Sequence, residues 1–196
     1  MAKKKREKEV KFSKKLQRII KLSNQLNGGI KSYDLTEAQI DEINRRSLPN
    51  NRISRKLFKK PAKGVSSDTF IIPVEEGVVT GYFYQTEDKK QQISNLRPLI
   101  VFYHGGGWIW GNIEAYDLMC RRVCALTGAP ILSIDYRLAP HHKFPIPVED
   151  CYNALEWATQ GARFWKIDPE SIYVMGDSAG GNLAAVVCRM ARDRKG

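Results

Sequence analysis

The sequence predicts an α/β domain with a mostly parallel sheet, preceded by a basic helical segment. Three observations carry this. From about residue 69 onward, short β-rich runs alternate with helical patterns, the arrangement that builds parallel sheets with helices on their faces. The run Leu99–Tyr103 is unbroken apolar, as a strand buried on both faces is. The charge also shifts along the chain. Residues 1–63 hold 19 Lys+Arg against 6 Asp+Glu, a net +13, whereas residues 64–196 hold 13 against 15, a net −2. The overall +11 of this 196-residue chain therefore belongs to its first third.

The elements follow in order. Residues 1–9 are a solvated charge run. From Lys11 to Leu26 the apolar Phe12, Leu16, Ile19, Ile20 and Leu26 recur at helical spacing, and Asn27-Gly28-Gly29 ends the helix. Thr36 to about Arg46 reads as a second helix, with Thr36 as its cap and Gln39 in the capping-box position. Residues 47–67 read as basic and irregular. Thr69–Val74 and Val78–Gln85 form a hairpin around Glu75-Glu76-Gly77. A polar loop over 86–98 leads to the strand Leu99–Tyr103. A helix over about Tyr116–Leu126 and a strand over Pro130–Asp135 follow. Pro147–Thr159 opens with proline and two acids, which suits a helix N-terminus. Ser171–Met175 reads as a third buried strand and Ala179–Arg192 as the last helix.

Composition excludes several classes. With 42% hydrophobic and 27% charged residues, the chain is neither collagen-like, wholly disordered nor a disulfide scaffold. No apolar run approaches the roughly 20 residues of a membrane-spanning helix. Lys11, Lys14, Lys15 and Arg18 interrupt any signal-peptide core. Cys120, Cys124, Cys151 and Cys188 form no Cys-x-x-Cys pair and read as reduced thiols, so a cytoplasmic setting is expected. No metal-ligand spacing and no phosphate-binding glycine motif occurs, and no cofactor is expected. Nucleic acid is not expected either, because no recognised module accompanies the basic segment. With Phe12, Leu16 and Ile19 on one face, that segment reads as a cap helix over a site, with contact to an anionic membrane surface as the lesser alternative.

Two motifs carry chemistry. Gly176-Asp177-Ser178-Ala179-Gly180 lies between a strand and a helix, the context of a Gly-x-Ser-x-Gly nucleophile elbow. The tight turn lifts the serine hydroxyl above the sheet, and the helix behind it offers free N–H groups and its positive dipole end. Chance alone gives this pattern in roughly 0.07 of chains of this length, so it needs support. His104-Gly105-Gly106-Gly107-Trp108, directly after a strand, supplies it. Three glycines let backbone N–H groups face a ligand unobstructed, and acyl transfer requires such donors for its tetrahedral oxyanion.

These motifs, together with Asp135-Tyr136-Arg137-Leu138-Ala139-Pro140, Phe144-Pro145 followed by Val148-Glu149-Asp150, and Gly181-Asn182, resemble the hormone-sensitive-lipase-like esterase branch of the α/β hydrolases. The resemblance runs from about residue 70 to the end. It implies an α/β-hydrolase fold, with residues 1–65 as a basic N-terminal cap segment and 66–196 as part of the catalytic domain. It implies Ser178 as catalytic nucleophile. An oxyanion hole would come from Gly106, Gly107 and Ala179, with Gly105 shaping the loop and His104 supporting it. The implied substrate is a small-molecule ester, the implied activity carboxylic ester hydrolysis. One departure is small: Pro140-His141-His142 stands where many relatives have Pro-Glu-His, and it reads as a loop substitution. The other is larger. α/β-Hydrolases order their triad Ser…Asp/Glu…His, yet the stretch after Ser178 holds one acid, Asp193, and no histidine. The sequence thus reads as a C-terminally incomplete hydrolase, with a complementing C-terminal segment as the expected partner. A catalytically inactive remnant, or a binding scaffold with a basic N-terminus, is the alternative. His104 serving as a substitute base is another.

Overall fold

The computed structural model describes residues 13, 17–18, 21, 35–45, 62–87 and 96–194. The chain divides into two compact units, residues 1–39 and 40–196. Most of the helix expected over 11–26 lies outside the described residues, although Gln17, Arg18 and Lys21 are helical. Helix α1, Glu37–Arg45, is the second expected helix. Its capping box closes reciprocally. Gln39 Oε1 accepts from the Thr36 N–H at 2.9 Å, and Thr36 Oγ1 accepts from the Gln39 N–H at 3.4 Å.

Five strands form one sheet in the order β1-β2-β4-β3-β5. Strand β1 (Val65–Val74) and β2 (Gly77–Thr86) make the hairpin, and Val74 pairs with Gly77 across the two-residue turn Glu75-Glu76. Strands β3 (Arg97–Tyr103), β4 (Ile131–Asp135) and β5 (Ile167–Gly176) supply the parallel part expected from the strand–helix repeats. The hairpin extends this part antiparallel through β2–β4 pairing, so the whole sheet is mixed.

Three strands are longer than their apolar runs. Val65–Ser67, expected to be irregular, are strand because their backbone pairs with Tyr84–Thr86 whatever their side chains. Arg97 pairs with Ile167, whereas Leu99 pairs with Ile172. The intervening Asp168–Ser171 bulges there, with the Asp168 carboxylate accepting from the Glu170 N–H and the Ser171 hydroxyl.

Strand alternation then sorts the core into two layers. Leu99, Val101, Tyr103, Leu132 and Ile134 face helices α3 (Ile146–Gly161) and α4 (Ala179–Arg194), meeting Cys151, Ala154, Ala158, Leu183 and Val187. Phe102, Ile131 and Tyr84 face helix α2 (Asp117–Thr127) on the other side, against Cys120 and Cys124. Those two cysteines are buried as expected, and all four thiols are free. Helix α2 ends at Gly128 in the left-handed region, whose N–H returns to the Cys124 carbonyl. The outer end of the hairpin is tied to α3 by Arg137. Its guanidinium takes both oxygens of the fully buried Asp150 and reaches the Glu75 and Glu76 carbonyls. Among the described residues no helix is long and apolar enough to cross a membrane.

Candidate active site

Strands β3 and β5 are parallel neighbours, with Tyr103 opposite Gly176. Their C-terminal loops therefore leave the same sheet edge side by side. This is how two motifs more than seventy residues apart in sequence come to share a site.

The turn after β5 is strained where the chemistry would be. Ser178 has φ +50°, an unfavourable conformation for a residue with a Cβ. Its side chain is exposed. The turn holds because α4 starts at once: the Gly180 N–H donates to the Asp177 carbonyl at 2.8 Å, and the Asn182 N–H to the Ser178 carbonyl at 3.1 Å. Helix α4 also passes very close to β3. A Cβ on Gly180 would collide with the Tyr103 carbonyl oxygen, so only glycine permits this approach.

The loop after β3 is longer and is held by other side chains. His104 is fully buried. Its ring stacks on Tyr136, with centroids 4.4 Å apart, and its Nδ1 lies 2.8 Å from the Gly105 carbonyl. The Tyr136 hydroxyl donates to the His104 carbonyl at 2.7 Å. Burial pushes the His104 pKa down, partly opposed by the Gly105 carbonyl and the Asp177 charge. Gly106 turns the chain back with φ +133°, its Cα pressed against the Trp110 carbonyl where a Cβ would clash.

Asp177 joins the two loops. Its Oδ1 accepts from the Gly105 N–H at 2.9 Å, and its Oδ2 from the Tyr116 hydroxyl at 3.0 Å. The Gly105 N–H is therefore engaged, which leaves that glycine a shaping position. Among the described residues, nothing accepts from the N–H groups of Gly106, Gly107 or Ala179. Three backbone N–H groups are thus unengaged in the two loops that leave this sheet edge, and Ser178 on one of them is exposed.

A family model described as alpha/beta hydrolase fold matches residues 100–196. The carboxylic ester hydrolase LipN of Mycobacterium tuberculosis is 52% identical over 99 residues, which are 50% of this chain and 26% of that protein. An arylesterase of Saccharolobus solfataricus is 45% identical over 169 residues, 83% of this chain and 50% of that one. The hyperthermophilic esterase from the archaeon Pyrobaculum calidifontis superposes with a TM-score of 0.76 at 37% identity, over 95% of this chain and 56% of that one. The chain belongs to the hormone-sensitive-lipase-like esterase branch of the α/β hydrolases. It spans from about a quarter to just over half of the length of these relatives.

Within this hydrolase fold the two motif loops meet through Asp177, and three residues at this edge were not legible as parts of the site. Tyr116 lies on the short 3-10 turn Ile113–Tyr116, and Asn112 caps that turn by accepting from the Ala115 N–H. Asn44, on α1, bonds to the loop residues 109–112. Asp177 reads in sequence as a structural polar residue, and the structure makes it a hub. The histidine pair lies apart: His141 Nε2 is 2.9 Å from Asp41 Oδ1 on a half-exposed surface. Among the described residues no cluster of three or more His, Cys, Asp or Glu could hold a metal. No hydrogen bond joins His104 to Ser178 among the described residues.

Proposed function

We propose that the chain carries the nucleophile and oxyanion machinery of a serine-dependent carboxylic ester hydrolase. The observation that carries this is the strained Ser178, exposed at a strand–helix turn beside unengaged N–H groups. The Ser178 hydroxyl attacks the ester carbonyl carbon, and its proton passes to a general base. The carbonyl oxygen becomes an oxyanion held by the N–H groups of Gly106, Gly107 and Ala179. The tetrahedral intermediate expels the alcohol, which takes the proton back, and water then releases the acid from the acyl-serine by the same steps. Substrates are small carboxylic esters, in keeping with relatives named carboxylesterase and arylesterase.

The base is the part this sequence does not supply after Ser178. His104, the nearest histidine in sequence to the oxyanion glycines, supports the loop instead: it is buried, stacked and bonded to the backbone. The acid and histidine come from a complementing segment. Residues 1–65 act as a cap, and free thiols suit a cytoplasmic protein.

Two preparations test the reading with p-nitrophenyl acetate. The 196-residue chain alone is expected to give negligible turnover, since a site lacking a triad member retains only about 10³–10⁴-fold catalysis over water. The chain joined to a segment that carries the acid and the histidine is expected to be strongly active, and Ser178→Ala to abolish that activity. Unchanged turnover in the completed Ser178→Ala variant overturns the nucleophile assignment. Robust Ser178-dependent turnover by the chain alone overturns the role given to His104.

A further inference from the structure

We propose that Asn44 of α1 is a positioning residue for the oxyanion loop. It grips the returning limb, residues 109–112, and so sets where the N–H groups of Gly106 and Gly107 stand. This rests on reading those groups as oxyanion donors.

The glycine loop has two limbs, each held from outside. Asp177 holds the outgoing limb at the Gly105 N–H. The returning limb packs directly on the outgoing one. The Trp110 N–H donates to the Gly106 carbonyl at 2.8 Å, and Gly111 lies against the Gly105 carbonyl and the His104 ring. Any drift of residues 109–111 therefore moves Gly106.

Asn44 prevents that drift with both ends of one carboxamide. Its Nδ2 donates to the Ile109 carbonyl at 2.8 Å, and its Oδ1 accepts from the Gly111 N–H at 3.2 Å. A residue with one donor and one acceptor on a planar group is what this pairing needs, which excludes aspartate and alanine alike. Its own backbone carbonyl accepts from Asn112 Nδ2 at 2.8 Å, while Asn112 Oδ1 caps the turn that carries Tyr116. Through Tyr116 and Asp177 the circuit closes back on Gly105. A second tether of α1, Asp41 to His141, lies on the surface, and among the described residues neither side chain bonds to either limb.

Amide exchange in the 196-residue chain reads the grip directly. Asn44→Ala is expected to speed exchange of the Gly111 N–H by about tenfold or more while the β-strand amides keep their protection. Kinetics on the completed protein read the consequence. In Asn44→Ala, kcat falls about 10- to 100-fold and KM stays within about threefold, because misplaced donors weaken the transition state more than substrate binding. Asn44→Asp keeps the acceptor for Gly111 but sets a second oxygen against the Ile109 carbonyl, and it shows the same loss in kcat. Asp41→Ala, which cuts only the surface tether, keeps wild-type kcat.

Wild-type exchange at Gly111 in Asn44→Ala overturns the proposal. So does wild-type kcat in Asn44→Asp, and so does a kcat loss in Asp41→Ala equal to that in Asn44→Ala, which would make docking of α1 the cause. Should Ser178→Ala leave turnover untouched, the hydrolase reading falls, and the exchange rate at Gly111 still decides whether Asn44 grips the loop.

Discussion

The turn after β5 and the loop after β3 leave adjacent strands at one edge of the sheet, and they are built in opposite ways. The turn is short and secured by its immediate neighbours: α4 begins within two residues, and Gly180 lets it press against β3. It places its strain on Ser178, a residue that cannot be glycine without losing the hydroxyl. The loop is long, uses glycine where it turns back, and bonds its two limbs to each other at the Gly106 carbonyl, but its position is set from outside. Its shape comes from Asp177, Tyr136 and Asn44, which are 32 to 72 positions away from the loop residues they bond in the chain. A locally secured turn thus presents the proposed nucleophile, whereas the proposed donors of the longer loop are placed by remote side chains.

The largest effect should come from removing the local support. In Gly180→Ala the new Cβ meets backbone carbonyls on β3 rather than a flexible side chain, so the helix itself must move. A loss of about 3 kcal/mol is expected, the upper range for overpacking, read from urea unfolding. A near-neutral result would show that α4 can slide and that the turn is less rigid than the comparison requires.

Remote support should show first in rate rather than in stability. Asp177→Ala leaves the Gly105 N–H and the Tyr116 hydroxyl without their acceptor. An unsatisfied donor costs about 1–3 kcal/mol, and kcat of the completed protein should drop roughly 10- to 100-fold. Asp177→Asn restores most of it, since its oxygen still accepts from Gly105 and its NH₂ can donate to the Tyr116 oxygen. Equal losses in both variants would make the charge of Asp177, not its bonding, the operative property.

The smallest effect concerns the strain. Ser178→Gly and Ser178→Ala should both be inactive. The glycine variant should be the more stable by about 1 kcal/mol, because only it relaxes the positive φ without a Cβ penalty. Identical unfolding midpoints would mean that the turn holds no strain worth measuring.

The same contrast explains what the sequence reveals. The elbow is legible because its determinants are contiguous: an apolar strand, Gly176, Ser178, Gly180 and an amphipathic helix. The parallel strands β3 and β4 are legible for a like reason, since burial on both faces leaves an apolar run such as Leu99–Tyr103, whereas the apolar run of β5 lies at the sheet edge with Tyr173 exposed, not buried as its sequence suggests. Val65–Ser67 and Arg97–Pro98 are not legible, because backbone pairing in a sheet is indifferent to an outward-facing Ser67 and to an Arg97 that is buried against Gln85 and the Trp165 carbonyl. Asn44 leaves no local mark at all. In sequence it is one polar residue on a polar helix, and its meaning depends on a loop 65 residues downstream. Tyr116 and Asp177 are similarly silent until the fold brings them within 3.0 Å of each other.

Asp135, at the end of β4, accepts from the Ile113 N–H, and burial together with the nearby Glu114 charge raises its pKa to about 6. His104 is displaced the other way, below its ordinary value near 6.5, chiefly by burial. Acidification through the window between about 6 and 4 lets the folded Asp135 take up a proton before the unfolded chain does, which favours the fold. From about 6.5 downward the unfolded chain protonates His104 before the folded one does, which opposes it. Two titrations of opposite sign therefore act on the fold's resistance to urea as the pH falls from about 7 to 5. Asp135→Asn removes one arm of this balance, leaving a protein whose urea midpoint falls as the medium turns acid.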